Sequence, residues 1–175
     1  MKAFARRKGG IVTSLDRAEA ELLQSLSAQL IGMLEPLAGD DAAPLPGLVI
    51  GGSDAAPTDP ALARLLPDAY LGDDEESRAA ARDYRGLTES GLAGRKSANA
   101  AVVMSTATAG DIRLTEAEAQ AWLHALTDLR LVIAERLGIE DEGSAIADDE
   151  EARTLAEVYD WLGWAQDSLV RAVDR

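Results

Sequence analysis

LTEAEAQAWLHALTDLRLVIAERLG, residues 114–138, is the stretch that decides the fold. Thr115 and Glu118 stand at the spacing of a capping box. In that motif the hydroxyl accepts from the backbone amide three residues on, and the carboxylate reaches back to the first amide. Trp122, Ala125, Leu126, Leu129, Ile133 and Leu137 then recur at intervals of three and four, so they share one face of a helix. Gly138 follows the last apolar residue, where helices commonly end in the left-handed conformation that glycine adopts without a Cβ clash. A long helix with one apolar side needs other elements to cover that side.

The stretch YDWLGWAQDSLVRAV, residues 159–173, supplies one partner. From Glu150 onward, Leu155, Val158, Leu162, Ala165, Leu169 and Val173 form a helical stripe suited to helix-on-helix packing. Two of the three tryptophans lie here. Trp161 flanks the stripe, about 100° round the helix from Leu162, and Trp164 lies further from its centre. Trp161 is therefore expected at the border of the core, and Trp164 against another element or another molecule.

Upstream, Leu15, Leu22, Leu23, Leu26, Leu30, Met33, Leu34 and Leu37 predict a helix. Its start is expected at Thr13-Ser14, with Thr13 and Asp16 as a cap-like pair, and its end at Pro36 and Gly39. Asp59-Pro60 opens a short helix over Ala61–Leu66 that Pro67 stops. Asp73 to Glu76 place negative charge at the start of a helix over residues 74–92. Gly86, Gly91 and Gly94 predict a break, after which Lys96–Thr106 resume through Ala98, Ala101, Val102 and Met104. KAFARRKGGIV, residues 2–12, reads as a β-hairpin turning at Lys8-Gly9-Gly10. Two strands are marginal alone, so the hairpin must rest on helices. Residues 38–58 read as a long loop anchored by Leu48-Val49-Ile50, and residues 140–151 as an acidic loop. The expected class is mainly α: one domain over residues 1–175, a bundle of about five helices with a short N-terminal hairpin.

A chain of 175 residues suits one domain that buries its own core. Aromatic residues make up only 4%, so aliphatic side chains must build that core. Cysteine is absent, which excludes disulfides, thiolate metal sites and a thiol switch within the chain. The first residues lack the apolar run of a signal peptide, and no segment approaches the ~20 apolar residues of a membrane span. A cytoplasmic protein with no membrane partner is the simplest reading. The net charge of −14 disfavours direct DNA binding. Basic residues nevertheless cluster twice: Lys2, Arg6, Arg7 and Lys8, then Arg78, Arg82, Arg85, Arg95 and Lys96.

No catalytic, cofactor or metal site is legible, and a non-enzymatic role is expected. His124 is the only histidine, with no second ligand at a suitable spacing. The acidic runs Asp73–Glu76 and Asp148–Glu151 lack the alternation and central glycine of a calcium loop. Gly94-Arg95-Lys96-Ser97 is not a phosphate loop, because Arg95 interrupts it and Glu89 occupies the required glycine position. Arg78, Arg82 and Arg85 share one helix face, and Arg95 and Lys96 extend it. This stripe is a candidate for an anionic partner, and ion pairs with the chain's own acids are the competing reading. Trp164 is the candidate anchor for a protein partner, with packing against the chain's own helices as the alternative.

Three stretches carry a resemblance together: DPALARLLPDAY (59–70), LTDLRLVIAERLGI (126–139) and VYDWLGWAQDSLV (158–170). With the hairpin start and the Arg95-Lys96 pair, they resemble an actinobacterial domain-of-unknown-function family. That family includes the oxidative stress transcriptional regulator AosR and is often encoded beside the Clp adaptor ClpS. The resemblance spans nearly the whole chain apart from residues 38–58. It implies a cytoplasmic regulator that senses oxidation through an intramolecular disulfide and acts with a sigma factor at promoters. This chain has no cysteine, so no sensing residue carries over. What remains implied is a non-enzymatic regulatory protein whose partner is a sigma factor or RNA polymerase. The alternative is an accessory factor of ClpS/Clp-dependent proteolysis, and a homodimer stays open.

Overall fold

The computed structural model describes residues 1–38, 59–67, 75–139 and 149–174, and only the backbone over 75–88. The loop expected over 38–58 and the acidic stretch from 140 to 148 lie outside the described residues, apart from Ala38. In chain order the elements are β1 (Ala5–Arg7), β2 (Gly10–Leu15), α1 (Arg17–Leu34), α2 (Pro60–Leu65), α3 (Glu75–Thr106), β3 (Gly110–Leu114), α4 (Glu116–Arg136) and α5 (Glu150–Val173). The protein is mainly helical, as its periodicity predicts.

Helix α4 follows its sequence closely. The Glu118 amide donates to Thr115 Oγ1 at 3.2 Å, and the Thr115 amide donates to Glu118 Oε2 at 2.7 Å. All six residues of the expected face are buried, and Gly138 ends the helix at φ +67. Trp122 is the pin of the core. Its indole N–H donates to Thr106 Oγ1 at 2.8 Å, and the Phe4 ring meets it edge-on at 5.7 Å. One side chain thus ties α4 to the last turn of α3 and to the chain just before β1.

Helix α5 lies along α4 and buries Leu162, Ala165, Leu169 and Ala172. Across that seam the Arg130 guanidinium sits 4.6 Å from the centre of the Tyr159 ring and donates to Gln166 Oε1 at 3.0 Å. Asp59 caps α2 through the Ala61 amide, with Pro60 in the first turn, as expected.

Two expectations are corrected, and one, the hairpin, stands and is extended. First, Thr13-Ser14 do not open a helix, because they belong to β2. The cap of α1 is Asp16, whose Oδ1 accepts from the Glu19 amide at 2.9 Å while its own amide donates to Glu19 Oε2 at 2.7 Å. Second, the hairpin is two strands of a three-stranded antiparallel sheet in the order β1-β2-β3. Ile11 pairs with Leu114, Val12 with Arg113 and Thr13 with Ile112. Ile11, Thr13, Leu15, Ile112 and Leu114 face the helices and are buried.

Third, α3 runs unbroken through Gly86, Gly91 and Gly94. Each glycine costs roughly 1 kcal/mol against alanine, too little to interrupt a helix packed between α1 and α4. Its buried residues include Glu89, Ala93, Ala100 and Val103, Ala107 just past its end continues the same line, and Met104 is exposed. Alanines seven apart keep that seam thin, so neighbouring backbones approach closely.

Candidate functional site

The residues singled out from the sequence do not fall into one patch. Arg78, Arg82 and Arg85 lie on the α3 backbone, as their spacing requires, but their side chains are outside the described residues. Arg95 is exposed, whereas Lys96 turns towards α4 and places its ammonium 2.5 Å from Asp128 Oδ1. Trp161 is half-buried against the core, and Trp164 is 43% exposed. The divergence of the two C-terminal tryptophans is the one expected from their angular positions.

Lys96 and Asp128 form an interior ion pair. Glu89 is buried on the same face of α3, and Ser27 of α1 is buried as well. Burial pushes the Asp128 carboxyl above the ordinary carboxylate range, while the hydrogen bond and charge of Lys96 and the charge of His124 pull the other way. Asp128 Oδ2 and Ser27 Oγ make no hydrogen bond among the described residues. The Lys96–Asp128 pair joins α3 to α4. It presents no nucleophile or ligand set to solvent.

The outer face of the sheet has a different character. It forms a broad hollow of about 790 Å3 lined by Ala5, Val12 and Ser14 together with Lys2, Arg7, Lys8 and Arg113. Asp111 is the single acid there. Arg113 donates to the Lys8 carbonyl at 3.1 Å, which fixes the guanidinium beside the hairpin turn. None of the four cations is ion-paired among the described residues. The sequence shows Lys2, Arg7 and Lys8 as a basic cluster. Their convergence with Arg113 depends on β3, which brings the later segment alongside β2.

A second groove of about 470 Å3 runs between β1 and α5, lined by Arg6, Arg7, Trp164, Asp167 and Arg171 among others. The Phe4 amide donates to Ser168 Oγ at 3.3 Å, so α5 covers the open edge of β1. Arg6 closes the end of α5 by donating to the carbonyls of Ala172 at 3.1 Å and Val173 at 2.9 Å. A cation there complements the negative end of the helix dipole. The same guanidinium holds Glu116 at 2.5 Å, and that hydrogen bond keeps the Glu116 carboxyl below its usual range. Arg171 pairs with Asp167 at 2.7 Å. The ring of Trp164 is left facing outward.

Among the described residues no group of three or more His, Cys, Asp and Glu side chains is placed to hold a metal ion, and no helix is long and apolar enough to cross a membrane.

The described residues thus combine helices pinned by Trp122, a sheet with a basic outer face and an exposed tryptophan. The chain belongs to the family described as Domain of unknown function (DUF2017), which matches residues 1–173. It is 31% identical over 174 residues to the Oxidative stress regulator AosR of Mycobacterium tuberculosis (strain ATCC 25618 / H37Rv), covering 90% of this chain and 79% of that protein. Similarity to the Putative oxidative stress regulator AosR of Mycobacterium leprae (strain TN) is 32% over 172 residues, covering 89% and 78%. No solved structure matches the chain.

Proposed function

We propose that this chain is a regulatory protein that acts by binding a component of the transcription machinery, a sigma factor or RNA polymerase, rather than by catalysis. Its relatives are named as oxidative stress regulators, which supports regulation as the role. The observation that carries the binding reading is the Trp164 ring, 43% exposed beside the groove between β1 and α5. The other two tryptophans serve the core, and an outward tryptophan beside a groove is the kind of side chain that anchors a partner. With no cysteine among its 175 residues, the chain takes its signal by a route other than its own thiols.

The test is direct binding of the purified chain to core RNA polymerase, to sigma factors and to ClpS from the source organism. Binding to a polymerase or sigma component, weakened about tenfold or more by Trp164→Ala, is the expected result. Binding to ClpS alone transfers the role to Clp-dependent proteolysis and refutes the transcriptional reading. Light scattering on the same samples separates self-association from partner binding.

A further inference from the structure

We infer that the outer face of the β1-β2-β3 sheet is a docking site for an acidic segment of a protein partner. The inference deepens the reading of the chain as a binding protein. It does not depend on which partner is involved, nor on Trp164.

The warrant is charge. The chain carries 31 acidic residues against 17 basic ones, yet Lys2, Arg7, Lys8 and Arg113 converge on one face. In a protein so rich in acids, cations without a purpose would find partners at home. These four have no acidic partner in an ion pair among the described residues. Arg113 is moreover held in place by the Lys8 carbonyl, so part of the site is ordered before anything binds.

Shape and composition then choose among anions. Adjacent strands lie about 4.8 Å apart, so the outer strands stand about 10 Å from one another, room for a single peptide segment. Ala5 and Val12 give the lining an aliphatic part, beside Ser14 and the acid Asp111, and no aromatic side chain lines the hollow. Bases of single-stranded nucleic acid would find nothing to stack on. A duplex presents a long row of phosphates to a molecule whose net charge is −14, with four cations to offset the repulsion. A small free anion would leave most of so broad a hollow empty. A peptide that sets carboxylates on the rim and an aliphatic side chain over Val12 meets both features.

The experiment is fluorescence anisotropy with a labelled peptide of about 15 residues mixing Glu and Leu. Neutral Gln/Leu peptide, single-stranded oligonucleotide and duplex DNA are run in parallel, with inorganic phosphate as a competitor. The expected result is binding of the acidic peptide alone that weakens as salt is raised. Arg7→Glu/Lys8→Glu, at the exposed end of β1 and in the turn that follows it, is expected to reduce it about tenfold or more. Lys2→Glu serves as a second, independent reversal. Arg17→Glu, on α1 and outside this face, makes a charge change of the same kind and should leave binding intact.

Absence of peptide binding overturns the inference. So does tighter binding of either nucleic acid, displacement by millimolar phosphate, or equal weakening by Arg17→Glu. Circular dichroism of each variant confirms that the helices are retained. Failure of the unmodified protein to bind the acidic peptide, with polymerase binding retained, would overturn the sheet site and leave the proposed function standing.

Discussion

Lys96 Nζ lies 2.5 Å from Asp128 Oδ1, with the lysine side chain 17% and the aspartate side chain 4% exposed. The contact joins α3 to α4 inside the protein. Removing one partner of a buried pair leaves the other charge without compensation, at a cost of about 3–5 kcal/mol. Lys96→Met is therefore expected to lower unfolding free energy by about 3 kcal/mol or more. Asp128→Leu is expected to cost less, because the lysine stem can carry its ammonium towards water. Lys96→Met/Asp128→Leu should recover most of the loss. Urea unfolding of the four proteins checks this as a double-mutant cycle, and strictly additive costs would contradict it.

The same pair sets one limb of the pH dependence. Burial raises the Asp128 carboxyl in the folded state, so the folded protein holds that proton more tightly than the unfolded chain. Stability therefore falls as pH rises from the ordinary aspartate value of about 3.9 through the raised folded value. Glu118 acts oppositely. Hydrogen bonds from the Thr115 amide and hydroxyl lower its pKa. The stability it contributes is present above the ordinary glutamate value of about 4.3 and is lost as pH falls through the folded value. Unfolding curves between about pH 3 and pH 7 should show the falling limb vanish in Lys96→Met/Asp128→Leu. The deficit of Glu118→Gln should close at the acid end.

Gly10 is where the sheet depends on a missing side chain. Its φ is +136, and a Cβ there would lie 2.3 Å from the Leu114 carbonyl oxygen. Gly10→Ala must both strain the backbone and push β3 away. A loss of about 2 kcal/mol or more is expected, with faster amide exchange across Ile11–Leu15 and Gly110–Leu114. Gly138 has φ +67 and open space around it. Gly138→Asn, which tolerates that conformation, should cost less than about 1 kcal/mol. Equal costs at the two positions would refute the close-approach account.

What the sequence discloses follows the range of the interactions involved. The capping box of Thr115 and Glu118, the stop at Gly138 and the stripe from Leu162 to Leu169 are local, and they stand in the structure where they were expected. The angular offset of Trp164 from that stripe is local too. Strand β3 was hidden because Gly110–Leu114 is short and sits between two helix signals. Its partner Ile11–Leu15 lies far back along the chain, near the N-terminus. That long-range pairing also takes Thr13 out of the helix. The glycines of α3 mislead for the reverse reason: their local cost is real, but burial of Ala93, Ala100 and Val103 outweighs it. Lys96 reads as surface charge until the fold sets Asp128 beside it. The basic face combines both kinds of information, since Arg7 and Lys8 are local neighbours and Arg113 joins them only through the sheet.

The tryptophans provide the last test, because stability and binding should separate between them. Trp122 is wholly buried, bonded to Thr106 and packed on Phe4. Trp122→Ala removes a large ring and leaves a void, at an expected cost of about 3–5 kcal/mol. Trp164 is held by little of the core, and Trp164→Ala should change unfolding free energy by no more than about 0.5 kcal/mol. Acrylamide quenching reports the same contrast, since Trp164→Phe should remove most of the quenchable emission while the protein stays folded. A partner seated in the groove between β1 and α5 should shield that emission in the unmodified protein. Quenching unchanged by Trp164→Phe would place the exposed ring elsewhere and remove the anchor from the proposed surface.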